Sequence, residues 1–254
     1  MMENKEYGEI IGNPAAPYIN GLARRSGLAT HYYAIRHPSL PNYIAMIGGS
    51  TFGIDENCTD CGIKANNLVD QLEKRGISWK GYMEGMPNPC FKGSFSGRYA
   101  KKHNPFMYFD TIVHRPARCQ KVVPLAQLHR DLRAERLPEF SYIVPDLCHD
   151  MHDCSIAVGD RFLSGLLPPI LRALEPGGVI FLSWEEGDSD AGCCRFAEGG
   201  RVPMIIAGPA ANGAVRSEVS YDHYSLLRTI QEAWGLSLLR RAACTCSRSL
   251  GAFF

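Results

Sequence analysis

Residues 179–190 read VIFLSWEEGDSD, an apolar run that ends at two adjacent glutamates and further acids. A short apolar run rich in β-branched and aromatic residues is typical of a buried strand. The acidic residues therefore lie where that strand ends. The stretch predicts a strand that delivers Glu185 and Glu186 to one edge of a sheet, where the active sites of α/β proteins collect.

Outward from this stretch, strand-like runs alternate with helical patterns along most of the chain. The strand-like runs cover residues 29–35, 77–83, 140–144, 179–184 and 202–207. Amphipathic helical spacing is found at 18–23, 162–174 and 224–234. Because the two patterns alternate, we expect an α/β fold with a largely parallel central sheet and helices on both faces.

Length and composition agree with a single globular domain over residues 1–254, in which the loop-rich stretch 84–124 is an insertion or cap. The chain is 45% hydrophobic and 21% charged, with a net charge of +1 and no basic run. This balance gives no reason to expect nucleic acid as a partner. No apolar stretch is long enough to be a transmembrane segment. The oligomeric state is left open.

Ten cysteines are grouped in short-range couples. An even number suits a disulfide framework and predicts an extracellular or periplasmic location. Two alternatives stay open, because the spacing of Cys58 and Cys61 also fits a zinc knuckle and because all thiols could be free in a cytosolic enzyme. No signal peptide is visible, since Met1 and Met2 run straight into a polar segment.

Residues 37–43 read HPSLPNY, and they follow a predicted strand and open a predicted helix. Backbone N–H groups and the helix dipole at such a position favour an anion and an activated hydroxyl at Ser39. Asn42 lies one turn further on and is a candidate donor to a phosphoryl oxygen. The competing interpretation is that Ser39 only caps the helix, as serine commonly does.

Two histidine-bearing segments are further candidates. Residues 146–154 hold three aspartates and two histidines, and all of these except Asp146 lie between Cys148 and Cys154. Such a density of ionisable groups requires a metal, a phosphate or water between them. Residues 99–105 place His103 beside Lys102 in a Pro-bounded loop, which suits an anion or is simply solvated.

Two pairs of residues offer oxygen ligands, one after the predicted strand 179–184 and one near the start of the chain. Glu185 and Glu186 suit a divalent cation, unless they belong to an exposed acidic loop. Glu3 and Asn4 add a carboxylate beside an amide, unless they are a solvated N-terminus.

Together these segments resemble the phosphoesterase family of acid phosphatases and phospholipase C-like enzymes in the alkaline-phosphatase superfamily. The motifs follow the family's order from Glu3-Asn4 to Asp222-His223-Tyr224, over nearly the whole chain. The resemblance implies an alkaline-phosphatase-like fold and a secreted, metal-dependent phosphomonoesterase acting on a small-molecule or lipid phosphate ester. Two alternatives are a phospholipase C-like phosphodiesterase and an inactive binding protein on the same scaffold.

The resemblance also implies a role for each matched residue. Ser39 is the nucleophile, which forms a phosphoserine, and His152 is the candidate acid for the leaving group, with His103 as a second site histidine. One divalent metal ion is bound by Glu3, Asn4, Ser39, Glu185 and Glu186. Asn42 contacts the phosphoryl group, and His223 is a further site histidine. Apart from the resemblance, Lys102 is a candidate substrate contact that would stabilise charge on the phosphoryl oxygens.

This sequence departs from the family pattern at two points. The family usually has Asp-Glu after the tryptophan, where this chain has Glu185-Glu186. One extra methylene moves a carboxylate by about 1.5 Å, so the metal geometry is expected to differ. The family also places a hydrophobic strand before Glu-Asn, where this chain has only Met1-Met2. We therefore expect the first strand of the sheet to be missing and Glu3 and Asn4 to be loosely held.

Overall fold

The computed structural model describes residues 1–254, and its strands coincide with the apolar runs of the sequence. The strands are β1 (Gly27–Tyr33), β2 (Trp79–Met83), β3 (Phe95–Ser96), β4 (Tyr99–Ala100), β5 (Val122–Pro124), β6 (Phe140–Val144), β7 (Ile180–Ser183), β8 (Arg201–Ala207), β9 (Arg216–Ser217) and β10 (Tyr221–Asp222). The five predicted strands are confirmed as β1, β2, β6, β7 and β8. The short strands β3, β4, β5, β9 and β10 were not predicted.

The helices fill most of the connections between strands. They are α1 (Tyr7–Ile10), α2 (Pro17–Arg25), α3 (Ser39–Gly48), α4 (Leu68–Lys74), α5 (Asp110–Val113), α6 (Pro116–Cys119), α7 (Ala126–Arg133), α8 (Ile156–Ala173) and α9 (His223–Ala233). The three predicted helical patterns are confirmed as α2, α8 and α9. No helix in the structure combines the length and the hydropathy that a membrane crossing requires.

Four of the seven strand pairs are parallel and three are antiparallel. One sheet has the order β10-β1-β8-β7 with β9 also paired to β1, and a second sheet has the order β5-β2-β6. The second sheet is parallel throughout, whereas β8 runs antiparallel to both β1 and β7. The α/β class is therefore confirmed, with a mixed first sheet. No helix lies between β7 and β8, and a parallel pair would need such a crossover.

The first two residues join the two sheets. The Met1 ammonium donates to the carbonyl of Ile143 in β6 at 2.8 Å. The Met2 N–H donates to the carbonyl of Ser183 in β7 at 2.8 Å, and the Met2 carbonyl accepts from the Glu185 N–H at 3.0 Å. Met1 and Met2 thus occupy a strand position between β6 and β7, which places the residues after them at the ends of both strands.

An apolar cavity of about 260 Å³ lies beside Met1 and Met2, between β6 and β7. Residues of α8, of α3 and of α9 line it together with the two strands. α2 packs against α8, and α3 packs against α9. A single cluster of 54 buried residues runs through this core, so both sheets and their helices share one hydrophobic interior.

The cysteines form five disulfides, which confirms the predicted framework. The pairs are Cys58–Cys61, Cys90–Cys119, Cys148–Cys154, Cys193–Cys194 and Cys244–Cys246. No cysteine is free, so neither the zinc knuckle nor the free-thiol alternative holds. The stretch 84–124 contains the β3–β4 hairpin, two 3₁₀ turns, α5, α6 and β5, which pairs with β2 in the second sheet.

Candidate functional site

Ser39 is the first residue of α3 and is 1% exposed. Pro38 is the N-cap, and the Ser39 side chain makes no capping hydrogen bond. Its hydroxyl instead donates to Glu186 Oε1 at 3.1 Å and faces Glu3 Oε2 at 3.4 Å. The interpretation of Ser39 as a cap is therefore wrong, because its Oγ is turned towards two carboxylates.

Glu3, Glu185 and Glu186 are buried together. Glu3 directly follows the Met1-Met2 segment and its N–H donates to the Asp150 carbonyl at 2.9 Å. Glu185 and Glu186 lie just past the end of β7 and are 0% and 3% exposed, so the pair is not an exposed loop. Glu3 is likewise fully buried and bound through its main chain, and the expected loosening of this ligand is not seen.

The side-chain amide of Asn4 lies between two of these carboxylates. Turned with its nitrogen inward, it donates to Glu3 Oε2 and to Glu185 Oε1, each at 2.8 Å. Turned with its oxygen inward, it would bring a third acceptor to the same point, an arrangement that only a cation stabilises. Asn4 therefore lies where the sequence predicts a ligand.

Burial and mutual repulsion set the protonation of the three glutamates. Burial, reinforced by the charge of Glu3, raises the pKa of Glu185 well above its ordinary value. Burial also raises the pKa of Glu186, against the opposing effect of His37. Burial opposes ionisation of Glu3 too, but His103 and hydrogen bonds from neighbouring side chains outweigh it and lower the pKa of Glu3. Without an added positive charge the three carboxylates therefore do not all ionise.

His103 and Asp150 extend this group of buried ionisable side chains. His103 Nε2 lies 3.3 Å from Glu3 Oε1, and His103 Nδ1 lies 3.5 Å from Asp150 Oδ2. Burial lowers the pKa of His103 to about 4, whereas burial and the charge of Glu3 raise the pKa of Asp150 to about 9. The Tyr43 ring stacks on His103, and its hydroxyl donates to Glu3 Oε1. We call Glu3, His103, Asp150, Glu185 and Glu186 the site cluster.

Three buried atoms of the site cluster have no hydrogen-bond partner. They are Glu185 Oε2, Asp150 Oδ2 and His103 Nε2. An unpaired buried polar group costs about 1–3 kcal/mol, and more when it is charged. A divalent cation would compensate both the unpaired oxygens and the like charge. The oxygen-rich donor set of Glu3, Asn4, Ser39, Glu185 and Glu186 fits a hard or borderline cation.

His152 and Lys102 lie on the solvent side of the site cluster. The His152 side chain is 30% exposed, and its Nδ1 lies 2.7 Å from Asp153 Oδ1. Its Nε2 is 3.4 Å from Lys102 Nζ, and its ring centre is 6.0 Å from that of His103. The Cys148–Cys154 disulfide closes the loop that carries His152. These two side chains can reach a substrate that enters from solvent.

Two predicted substrate contacts, Asn42 and His223, are instead engaged with the protein itself. Asn42 is fully buried, where its Oδ1 accepts from the Ile35 N–H at 2.8 Å and its Nδ2 donates to the Arg36 carbonyl at 2.6 Å. His223 donates through Nε2 to the Glu185 carbonyl at 2.6 Å, and its Nδ1 lies 3.0 Å from the Tyr32 hydroxyl. Asn42 braces the segment before Ser39, and His223 supports the acidic pair from behind.

Sequence reasoning missed three residues of this site. Tyr43 follows Ser39 by four positions, so the helix period would have placed both on one face. Asp150 is one of three aspartates in residues 146–154, and nothing in the local sequence distinguishes it. His37 belongs to the motif at residues 37–43, but the sequence predicted no role for it. Its Nδ1 lies 2.5 Å from Glu186 Oε2.

A second cluster of similar composition lies apart from Ser39 and consists of Glu84, Asp146 and His149. His149 Nδ1 lies 3.0 Å from both Glu84 oxygens and 3.6 Å from Asp146 Oδ1. Asp146 Oδ1 also accepts two main-chain N–H groups, and the His149 ring stacks on Phe162. This second cluster is half-buried, and its members have protein partners.

Comparison with known proteins places the chain in a family. A sequence profile described as the Phosphoesterase family matches residues 6–237. The phosphatidylinositol-3-phosphatase of Mycobacterium tuberculosis is 31% identical over 236 residues, covering 92% of this chain and 75% of that protein. The phosphate-repressible acid phosphatase of Penicillium chrysogenum is 30% identical over 237 residues, covering 89% of this chain and 56% of that protein.

The fold comparison agrees with the sequence comparison. A solved structure of an alkaline-phosphatase-superfamily protein from Vibrio parahaemolyticus superposes with a TM-score of 0.64 at 11% identity, over 98% of this chain and 68% of that chain. The chain spans somewhat more than half the length of the fungal acid phosphatases that it matches, between 55% and 59%. With a family profile covering most of its length, this chain belongs to the phosphoesterase family.

Proposed function

We propose that this chain is a single phosphoesterase domain, with residues 84–124 as a cap, and that it hydrolyses phosphomonoesters with a divalent metal ion and Ser39 as nucleophile. One observation carries the proposal. The Ser39 hydroxyl is at a helix N-terminus and faces two buried carboxylates, Glu186 and Glu3, that belong to a group of acids without sufficient positive charge. A serine that only caps a helix or only packs in the core would not direct its hydroxyl at two buried carboxylates.

When bound, a divalent cation would lower the pKa of the serine hydroxyl and neutralise charge on the phosphoryl group. Glu3, Asn4, Glu185 and Glu186 would hold it beside Ser39. Glu186 Oε1 is the acceptor that the Ser39 hydroxyl already faces. Ser39 Oγ then attacks phosphorus in line, the bond to the leaving alcohol breaks, and a phosphoserine forms. Water hydrolyses the phosphoserine in a second step and regenerates the hydroxyl.

His152 is a better proton donor to the leaving alcohol than His103. His103 is fully buried and its pKa is lowered to about 4, so it is neutral over most of the pH range. His152 is accessible, Asp153 holds its Nδ1, and its Nε2 faces Lys102 on the side where a substrate would enter. Lys102 and the dipole of α3 would stabilise charge on the equatorial phosphoryl oxygens, whereas the Leu40 N–H already donates to Asn57 Oδ1.

The proposed substrate class is supported by the two polar side chains on the solvent side of the site, His152 and Lys102. A phosphate ester of a small molecule or of a lipid headgroup would place its phosphoryl group between Ser39 and Lys102. Five disulfides suit an oxidising compartment, so we propose an extracellular or periplasmic protein.

The test compares p-nitrophenyl phosphate with bis(p-nitrophenyl) phosphate after chelation and re-addition of single divalent metals. We expect metal-dependent hydrolysis of the monoester, a phosphorylated Ser39 detectable by mass spectrometry after acid quench, and no turnover by Ser39→Ala. Faster hydrolysis of the diester would favour a phospholipase C-like enzyme. Equal and negligible turnover by wild type and Ser39→Ala would favour a binding protein.

A further inference from the structure

We propose that His37 is a positioning residue that holds Glu186 against Ser39 and fixes the loop after Glu186 to the site. This inference rests on the function proposed above. His37 belongs to the same short motif as Ser39, two positions earlier in the chain, yet nothing in the reaction as described uses it. Its side chain is 35% exposed, so its conformation is not dictated by burial alone.

Both ring nitrogens of His37 face oxygen atoms, one of the Glu186 side chain and one of the Ser189 main chain. Nδ1 lies 2.5 Å from Glu186 Oε2, and Nε2 lies 3.1 Å from the carbonyl of Ser189. The ring therefore bridges a site carboxylate and the loop that follows it. Hydrogen bonds that involve a charged partner are about twice as strong as neutral ones.

The contact between His37 and Glu186 Oε2 fixes the direction in which the other oxygen, Oε1, points. With Oε2 held by His37, Oε1 is directed at Ser39 Oγ, 3.1 Å away. Without His37, the Glu186 carboxylate can rotate about its terminal torsion, which is broad for glutamate. The outer partner thus fixes the orientation of an inner ligand, as is common around metal sites.

Ser189, whose carbonyl the His37 ring contacts, is itself held by Glu6. Ser189 donates to Glu6 Oε1 through its N–H at 3.0 Å and through its hydroxyl at 2.6 Å. A continuous chain of contacts therefore runs from Glu6 through Ser189, His37 and Glu186 to Ser39. His37 is the member of this chain whose removal separates the loop from the site.

The second cluster provides a matched control. His149 also pairs with a glutamate through Nδ1, and its side chain is 33% exposed, close to the 35% of His37. Its partner Glu84 does not contact Ser39. If breaking any half-exposed His–Glu pair lowers activity, variants at His37 and His149 should lose equal activity. If His37 positions Glu186, only the His37 variants should lose activity.

The experiment compares His37→Ala, His37→Gln and His149→Ala in the full chain. The readouts are the Kd for Mn²⁺ by calorimetry, and kcat and KM for p-nitrophenyl phosphate with saturating metal. We expect His37→Ala to weaken Mn²⁺ binding and to lower kcat by about 10–100-fold, with KM changed much less. His37→Gln, which keeps an N–H donor, should recover part of both losses. His149→Ala should stay within about twofold of wild type.

Equal Mn²⁺ affinity and equal kcat in His37→Ala and His149→Ala would overturn the proposal. If His37→Ala does not fold, the same comparison is made with His37→Gln and His149→Gln. Weaker Mn²⁺ binding by His37→Ala, together with full turnover by Ser39→Ala, would leave the positioning role intact and refute the serine mechanism. The two failures are therefore distinguishable.

Discussion

The site cluster and the second cluster contain the same residue types but differ in burial and pairing. Every member of the site cluster is at most 3% exposed, and three of its atoms have no partner. The second cluster is half-buried, and its carboxylates accept from His149 or from main-chain N–H groups. The difference teaches that unpaired burial, rather than charge density, marks the place where a cation would be stabilised.

Replacing one buried carboxylate should have the largest effect. Glu185→Gln keeps the shape but removes a charge, so the protein loses part of its ability to hold the cation. Loss of several kcal/mol of charge stabilisation corresponds to a decrease in kcat/KM on the order of 10³-fold. Asp146→Asn in the second cluster should leave kcat/KM within about twofold of wild type. Comparable losses in the two variants would remove the distinction between the clusters.

The two histidines of the loop 146–154 offer the next comparison. His152→Asn should lower kcat by about 10²-fold, because a general acid is lost. His149→Asn should leave kcat unchanged. A substrate with a good leaving group, such as p-nitrophenyl phosphate, should show a smaller loss for His152→Asn than an alkyl phosphate does. The same loss for both substrates would exclude His152 as the proton donor.

The raised pKa of Asp150 predicts how the free energy of unfolding depends on pH when a chelator removes divalent metal. Burial and the charge of Glu3 raise its pKa to about 9 in the folded protein, above the ordinary value of 3.8. The folded state then holds this proton more tightly than the unfolded state, so its contribution to stability is full below pH 3.8 and declines as pH rises towards 9.

Asp150→Asn removes this titration. As the pH is raised from 5 to 8, the free energy of unfolding of the variant should increase relative to that of wild type by at least about 1 kcal/mol. Urea unfolding at both pH values measures the difference. A constant difference between the two proteins across this range would show that Asp150 ionises normally.

Removing the Tyr43 hydroxyl should have the smallest effect of these changes, and the effect is on Mn²⁺ affinity. Its hydroxyl donates to Glu3 Oε1, so Tyr43→Phe leaves that oxygen without a partner. One such hydrogen bond contributes about 0.5–1.5 kcal/mol, which corresponds to a roughly threefold to tenfold change in Mn²⁺ affinity. Tyr108→Phe loses a hydrogen bond to the Cys58 carbonyl instead, and is the matched control. If both variants bind Mn²⁺ equally well, the Tyr43 hydroxyl does not tune the site.

The fold was predictable where local pattern determines structure. The apolar run of β7 followed by Glu185 and Glu186 correctly indicated a strand that delivers acids to a sheet edge. The direction of β8 was not evident, because strand direction depends on the connection rather than on the strand's own residues. The signal was present: residues 184–200 contain no helical pattern, and an antiparallel pair needs no helix between its strands.

The site was predictable only in part, because burial and partners are properties of the assembled protein. The motif around Ser39 indicated its helix-terminal position, but the pairing of Asn42 with the segment 35–36 depends on a local turn that spacing does not reveal. His223 lies in the first turn of α9, and the packing of α9 turns its ring to the Glu185 main chain. Nothing in the sequence separates Asp150 from Asp146, but in the structure Asp150 is fully buried with Oδ2 unpaired, whereas Asp146 Oδ1 accepts two main-chain N–H groups.

The central claim is that the site cluster and not the second cluster holds the divalent cation beside Ser39. A crystal soaked in Mn²⁺ and recorded at the manganese absorption edge tests it directly. We predict one anomalous peak within about 2.5 Å of the Glu3 and Glu185 carboxylates and of Ser39 Oγ. A peak between Glu84, Asp146 and His149 with none at the site cluster would contradict it.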